Sequence, residues 1–188
     1  MLKDEVARAL KVLQEGGTIL YPTDTIWGVG CDATNTEAVE KIYKLKQRNE
    51  AKSMIILVDT ENKLESYISE VNPLAYELIE YAENPLTLVM PGAKNVSPAL
   101  IGSDGSVGIR VSKHPFCQQL IQRLRKPLVS TSANISGKPS PQYFAQIASE
   151  IIGGVDYVVD IDQQDMEIKT PSTIMRLAPN GSFEFIRR

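Results

Sequence analysis

Four segments of this chain gather side chains able to bind or transform a ligand. The first, Tyr21-Pro-Thr-Asp-Thr-Ile-Trp-Gly-Val-Gly30, sets two hydroxyls, a carboxylate and two glycines directly after an apolar run. A polar loop at the end of a buried strand is where α/β proteins put ligands. The same Thr23, Asp24 and Thr25 also suit a turn that caps its own backbone, and spacing alone leaves both readings open. Neither GxGxxG nor the Walker pattern occurs, so the glycines do not form a phosphate loop of those kinds. The second segment, Lys41 to Lys52, has five basic residues in twelve. Lys46 and Arg48 fall at a helix end just before a strand, where they could grip a polyphosphate, Arg as a bidentate fork and Lys as a point charge. Cations there also simply complement the helix dipole.

The third segment, Ser130-Thr-Ser-Ala-Asn-Ile-Ser-Gly137, offers five hydroxyl or amide side chains in seven residues. That is more than a turn needs, and it can present neutral donors to a phosphate or to an amino acid. A serine nucleophile is disfavoured because no GxSxG elbow is present and the sole histidine, His114 before Pro115, would have to be its base. The fourth, Gly108-Ile-Arg-Val111, puts Arg110 in an apolar strand. On a sheet covered on both faces that arginine must find an anion, and on an open face it needs none; Arg176 in Ser172 to Leu177 poses the same choice. Cys31 and Cys117 lack metal-ligand spacing and read as small buried hydrophobes. No His, Cys and carboxylate pattern fits zinc, so no protein metal site is expected; Mg²⁺ would arrive with a nucleotide.

These segments need a scaffold of strands and helices, and the apolar periodicity supplies one. Helices are expected from Leu2 to Gly16, Thr36 to Lys46 (capped by Asn35 or Thr36), Pro73 to Glu83, Pro115 to Arg125 and Pro141 to Ile152. Strands are expected over Thr18–Pro22, Ser53–Val58, Leu86–Met90, Val107–Val111, Leu128–Thr131, Asp156–Ile161, Thr173–Leu177 and Phe183–Arg187. Their alternation means an α/β sheet with helices packed on it, and three closing strands without intervening helices imply that part of it is antiparallel. Gly92 to Ser106, rich in glycine and polar residues, is the expected mobile flap beside a site.

The composition excludes several classes. With 188 residues, 43% hydrophobic and 23% charged, the chain is of ordinary globular type and can bury a core without disulfide or metal. One domain over residues 1–188 is expected, with no second carboxyl-terminal domain. The longest apolar run, Met54 to Val58, cannot cross a bilayer core about 30 Å thick, and the charged amino terminus is no secretory signal, so a cytoplasmic protein without membrane contact is expected. A net charge of -3 makes constitutive binding to a nucleic-acid backbone unfavourable, and any anion site must be local.

In order and over nearly the whole chain, these segments resemble the YrdC-type family of threonylcarbamoyl-AMP synthases in its short form. The matching pieces are Tyr21-Pro-Thr-Asp-Thr25 with Gly28 and Gly30, Lys46-x-Arg48, Pro85-Leu-Thr87, Val107-Gly-Ile-Arg-Val111, Ser130-Thr-Ser-Ala-Asn-Ile-Ser-Gly137 and Pro171-Ser-Thr-Ile174. The resemblance implies an open twisted mixed α/β sheet of YrdC/RibB-like type with a positively charged concave cleft. It implies condensation of L-threonine, bicarbonate (or CO₂) and ATP into threonylcarbamoyl-AMP and pyrophosphate, for the t6A modification of tRNA, with partner proteins that take up the adenylate. It further implies Lys46 and Arg48 at the ATP phosphates and Ser132 and Asn134 at phosphate or adenylate oxygens. Thr23 and Thr25 would line the threonine pocket and Arg110 would meet a carboxylate or phosphate, with Thr87, Ser130 and Ser172 contributing to substrate or ATP binding. The family often has Pro and then Asn-Pro-Leu after the Lys-x-Arg pair, where this chain has Asn49 and Lys52-Ser-Met54, so Lys52 would replace a side chain at the ATP. Two alternatives remain: a double-stranded RNA or tRNA binder using Lys41 to Lys52 on A-form phosphates, and a YciO-like nucleotide-binding protein without the synthase activity.

Overall fold

A computed structural model describes residues 1–47 and 54–188 of the chain. Helix α1 (Leu2–Gln14) buries Val6, Ala9 and Leu13 along one face, against helix α5 (Pro115–Leu124), which turns Phe116, Cys117, Leu120, Ile121 and Leu124 inward. Gly16 ends the turn after α1 at φ +78°, a conformation a side chain resists. The chain then enters strands β1 (Ile19–Tyr21) and β2 (Gly28–Gly30), separated by the polar loop Pro22–Trp27. Helix α2 (Thr36–Leu45) starts at Asn35, whose side chain accepts from the Ala38 amide, the first of the two caps the sequence offered.

Strand β3 (Ile55–Val58), short helices α3 (Leu64–Tyr67) and α4 (Leu74–Glu80), strands β4 (Leu86–Pro91) and β5 (Ser106–Val111), α5, strand β6 (Leu128–Ser132), helix α6 (Ser149–Gly154) and strands β7 (Tyr157–Val158), β8 (Thr173–Leu177) and β9 (Phe183–Arg187) complete the chain. The described strands form one mixed sheet in the order β7-β1-β2-β6-β3-β5-β4-β8-β9. The pairs β1/β7, β3/β5 and β4/β8 are parallel; the other five are antiparallel. In the middle of the sheet Ile56 and Leu57 of β3 and Leu88 of β4 have no exposed surface. None of the described helices is long and apolar enough to cross a membrane.

Three segments depart from the periodicity. The expected helix Pro141–Ile152 is instead a 3-10 turn at Phe144–Gln146 followed by α6. The ring of Phe144 packs on Trp27 at 4.9 Å, and Tyr143 at φ -146° breaks the helix, so apolar spacing of helical type is served by two separate turns. The strand expected over Asp156–Ile161 pairs only at Tyr157–Val158, because the Asp160 amide turns away to the buried Glu5 carboxylate at 2.9 Å. The Gly92–Ser106 segment is no free flap: Ser97 N–H donates to Ala33 at 2.8 Å, Lys94 N–H to Tyr67 at 2.8 Å, and Leu100 is wholly buried. Its polar residues serve a backbone tied to α2 and α3, not to the cleft described next.

Candidate functional site

One close approach sets the cleft's floor. A side chain on Gly30 would come within 2.1 Å of the Val129 carbonyl and 2.8 Å of the Tyr21 ring, so only glycine lets β2 lie flat between β1 and β6. The Tyr21 hydroxyl then donates to that same Val129 carbonyl at 2.8 Å, and burial pushes the phenol's pKa well up. This brings the end of the first polar loop beside the end of β6. There an open cleft of about 660 Å³ is lined by Thr25, Trp27, Gly28, Met54, Ile55, Arg110, Ser130, Thr131, Ser132, Ser140, Ser172, Ile174 and Arg187.

Three of the four segments singled out first in the sequence, joined by Pro171-Ser-Thr-Ile174, thus converge. Thr25, Arg110, Ser130, Ser132 and Ser172 face one space. Thr23 stands directly behind Thr25, their hydroxyls 3.0 Å apart, and Thr23 also donates to the Ile26 carbonyl at 2.8 Å. Thr87 lies opposite Arg110 in the β4/β5 register and shares a 2.8 Å hydrogen bond with the Ser172 hydroxyl. The Ser172 carbonyl in turn accepts from Arg187 Nη2 at 2.8 Å and Nε at 3.1 Å. A polar row therefore crosses four strands, from Arg110 on β5 through Thr87 on β4 and Ser172 just before β8 to Arg187 on β9.

Lys46 and Asn134 act one layer behind this surface. The sequence placed Lys46 at a helix end, free to grip a polyphosphate; its side chain is instead 1% exposed, and its ammonium donates to the Ser132 carbonyl and, at 2.6 Å, to the Asn134 carbonyl. The Lys46 carbonyl accepts from the Ser136 amide at 2.9 Å. The Asn134 amide group donates to the carbonyls of Ile135 at 3.1 Å and Lys138 at 2.6 Å. Both side chains therefore shape the Ser132–Lys138 loop, while Ser132 itself faces the cleft. Arg48 and Lys52 lie outside the described residues.

The electrostatics centre on Arg110. Its side chain is 4% exposed, its Nη2 lies 3.5 Å from an Asp24 oxygen, and its Nε has no hydrogen-bond partner among the described residues. A buried guanidinium with an idle donor is costly unless a ligand supplies the acceptor. Burial, and then the nearby positive charge of Arg110, lower the pKa of Arg187. Two arginines near enough to oppose each other's charge are a ready seat for an anion.

Arg187 escaped the sequence reading because it closes a strand, Phe183 to Arg187, whose residues are all exposed and which has no polar loop singled out beside it; an arginine after Phe-Glu-Phe-Ile was the available signal. Arg176 stays outside the cleft, bonded to Asp104 at 2.5 Å and 3.6 Å from Glu184. His114 caps α5 through the Phe116 amide at 3.3 Å and meets Asp162 at 3.1 Å, a structural place. Both cysteines are wholly buried and their thiol pKa values are raised chiefly by burial, that of Cys117 to about 12.

The Sua5/YciO/YrdC family model, described as telomere recombination, matches residues 11–188. A threonylcarbamoyl-AMP synthase of Pseudoalteromonas translucida is 37% identical over 158 residues, covering 82% of this chain and 84% of that protein. One of Vibrio campbellii is 39% identical over 136 residues, covering 70% and 73%. Among solved structures, P. abyssi Sua5 complexed with L-threonine superposes with a TM-score of 0.82 at 28% identity over 94% of this chain, which spans 52% of that longer one. E. coli YciO gives a TM-score of 0.85 at 22% identity, covering 100% of this chain and 90% of that one, a likeness of fold.

Proposed function

The chain belongs to the Sua5/YciO/YrdC family, and from that membership and the cleft we infer that it is a threonylcarbamoyl-AMP synthase, an enzyme that joins L-threonine and a one-carbon acid to AMP. The observation that carries this is the buried Arg110, whose Nε has no partner among the described residues, set among the Thr25, Ser130, Ser132 and Ser172 hydroxyls in a chain 36–39% identical to synthases of that name. The lower identity to YciO, 22%, concerns the fold and does not compete with it.

The finer assignment is a nucleotidyl transfer. Threonine, bicarbonate and ATP are joined by attack of the threonine amine on the carbon of bicarbonate, with loss of water, and then of the resulting carbamate oxygen on the α-phosphorus of ATP, with pyrophosphate leaving. The reactants carry negative charge and repel one another in water, so the protein's work is neutralisation and positioning more than covalent catalysis. Arg110 and Arg187 supply the cationic wall. Ser130 and Ser132 supply donors that turn to suit a phosphate or a carboxylate, and Thr25, braced by Thr23, supplies a hydroxyl for the amino acid. Lys46 holds the Ser132 carbonyl and so the loop's position. The described donors facing the cleft are hydroxyls and guanidinium groups, so Mg²⁺ enters as part of the ATP substrate, on its phosphates. The adenylate then passes to a tRNA-modifying partner.

The test is pyrophosphate release by the purified chain with ATP, L-threonine and bicarbonate, omitting each in turn. Release that requires all three supports the assignment. Release from ATP alone, or none with all three present, refutes it.

A further inference from the structure

Asp24 belongs to the polar loop between β1 and β2, where its type and spacing suit a residue that caps its own turn. Its carboxylate does something else. Oδ1 accepts from the Ser112 hydroxyl at 3.2 Å, Oδ2 accepts from the Lys113 amide at 3.2 Å, and Oδ1 stands 3.5 Å from Arg110 Nη2. All three partners lie at the end of β5, more than 80 residues away in sequence. Ser112, itself wholly buried, also accepts from the His114 amide at 3.3 Å. The acid is thus fixed by neutral donors on one side and set against a single buried cation on the other.

We propose that Asp24 is the positioning residue of the anion seat: it holds Arg110 by one edge of the guanidinium, balances its charge while the cleft is empty, and thereby limits how tightly the cleft retains an anion. This deepens the reading of the cleft as the place where the substrate's phosphates or carboxylate meet Arg110, and it rests on that reading.

The physical argument is a charge count. Arg110 is 4% exposed and Asp24 13%. A guanidinium so buried, standing alone, would be strongly destabilising, and a partner carboxylate offsets that cost. The pair is neutral, so with Arg187 the cleft carries one net positive charge from these three side chains; without the acid it would carry two. Nε, pointing away from any partner among the described residues, stays available while Asp24 occupies the Nη2 side. An anion therefore meets an arginine that is oriented but partly neutralised. For an enzyme that must release pyrophosphate every turn, an attenuated anion seat is preferable to a deep one, because binding that is equally strong for product and transition state gives no rate.

The substitution Asp24→Asn keeps an acceptor for Ser112 or Lys113 and removes the charge. Inorganic pyrophosphate is the probe, titrated calorimetrically, so that the result does not depend on turnover. The D24N variant should bind pyrophosphate about tenfold more tightly than the parent, the order expected when one charge is removed from a poorly screened site. Its melting temperature without ligand should fall, and pyrophosphate should raise it by more than in the parent. In turnover, kcat should fall while KM for ATP falls with it. Ser112→Ala, which removes a hydrogen bond and no charge, should lower the melting temperature while leaving pyrophosphate affinity within about twofold of the parent. Arg110→Met should abolish most pyrophosphate binding, showing that the probe reads this seat.

Unchanged or weaker pyrophosphate binding in D24N overturns the proposal and leaves Asp24 as a structural tie. If D24N does not fold alone, pyrophosphate should restore its folded state, and failure to do so is equally contrary. Should the parent bind pyrophosphate yet make no adenylate, the synthase reading fails while the role of Asp24 is still decided by the titrations.

Discussion

Replacing Lys46 by methionine keeps a long side chain and removes the ammonium. In the parent that ammonium, 1% exposed, donates to the carbonyls of Ser132 and Asn134. Hydrogen bonds from a charged donor contribute about 1.5–3 kcal/mol each, and the carbonyls left behind are partly buried. Some of the loss is recovered as the loop relaxes toward water, so the net cost should be roughly 3 kcal/mol. For a chain of this size each kcal/mol moves the melting temperature by about 2–4 °C, so the variant should melt roughly 6–12 °C lower. Its turnover should fall more than about tenfold as well, because Ser130 and Ser132 would lose their fixed place at the cleft. Differential scanning fluorimetry alongside pyrophosphate release measures both. Loss of activity with an unchanged melting temperature would refute the positioning argument and return Lys46 to direct contact with phosphate.

Gly30→Ala should prevent folding or lower the melting temperature beyond any other glycine change in the first loop, because the new methyl would lie 2.1 Å from a backbone oxygen that cannot retreat without parting β2 from β6; expression and circular dichroism check it. Alkylation by iodoacetamide at pH 8 should be slow for both cysteines in the folded chain and rapid in denaturant, since burial raises both thiols; fast labelling of the native protein would contradict their placement. The Asp104 carboxyl is held down, to about 2, by Ser106 and then by Arg176. A lowered carboxyl stabilises above its ordinary range and loses that contribution as pH falls from about 4 to about 2; Asp104→Asn should flatten that acid limb of the stability curve slightly, the site being half-exposed.

Much of this arrangement is legible in the residues. Val6, Leu13, Val39 and Ile42 recur at helical spacing and are buried where that spacing puts them, because a helix packed on a sheet has only one face to hide. The cleft-lining segments were legible too, since Thr25, Ser130, Ser132 and Arg110 each follow or interrupt an apolar strand. What local pattern could not convey is which strands become neighbours. Arg187 reaches the cleft because β9 closes a hairpin on β8, and Asp24 reaches Arg110 across 86 positions of sequence; neither pairing leaves a mark on nearby residues. The burial of Lys46 was hidden for a similar reason: the carbonyls that draw it inward belong to Ser132 and Asn134, far along the chain. The Phe144 region misled because aromatic contact with Trp27 outweighs the helical continuity its spacing suggests.

Assembly of the adenylate by this cleft alone, without RNA, is what the proposed function requires. Its most direct test is mass spectrometry of the purified chain incubated briefly with ATP, L-threonine and isotopically labelled bicarbonate, with tRNA absent. Labelled threonylcarbamoyl-AMP should form, with serine a weaker substitute for threonine and glycine weaker still, and Arg110→Met should yield little or none. No labelled adenylate until tRNA is added, or undiminished product from the Arg110 variant, would contradict it.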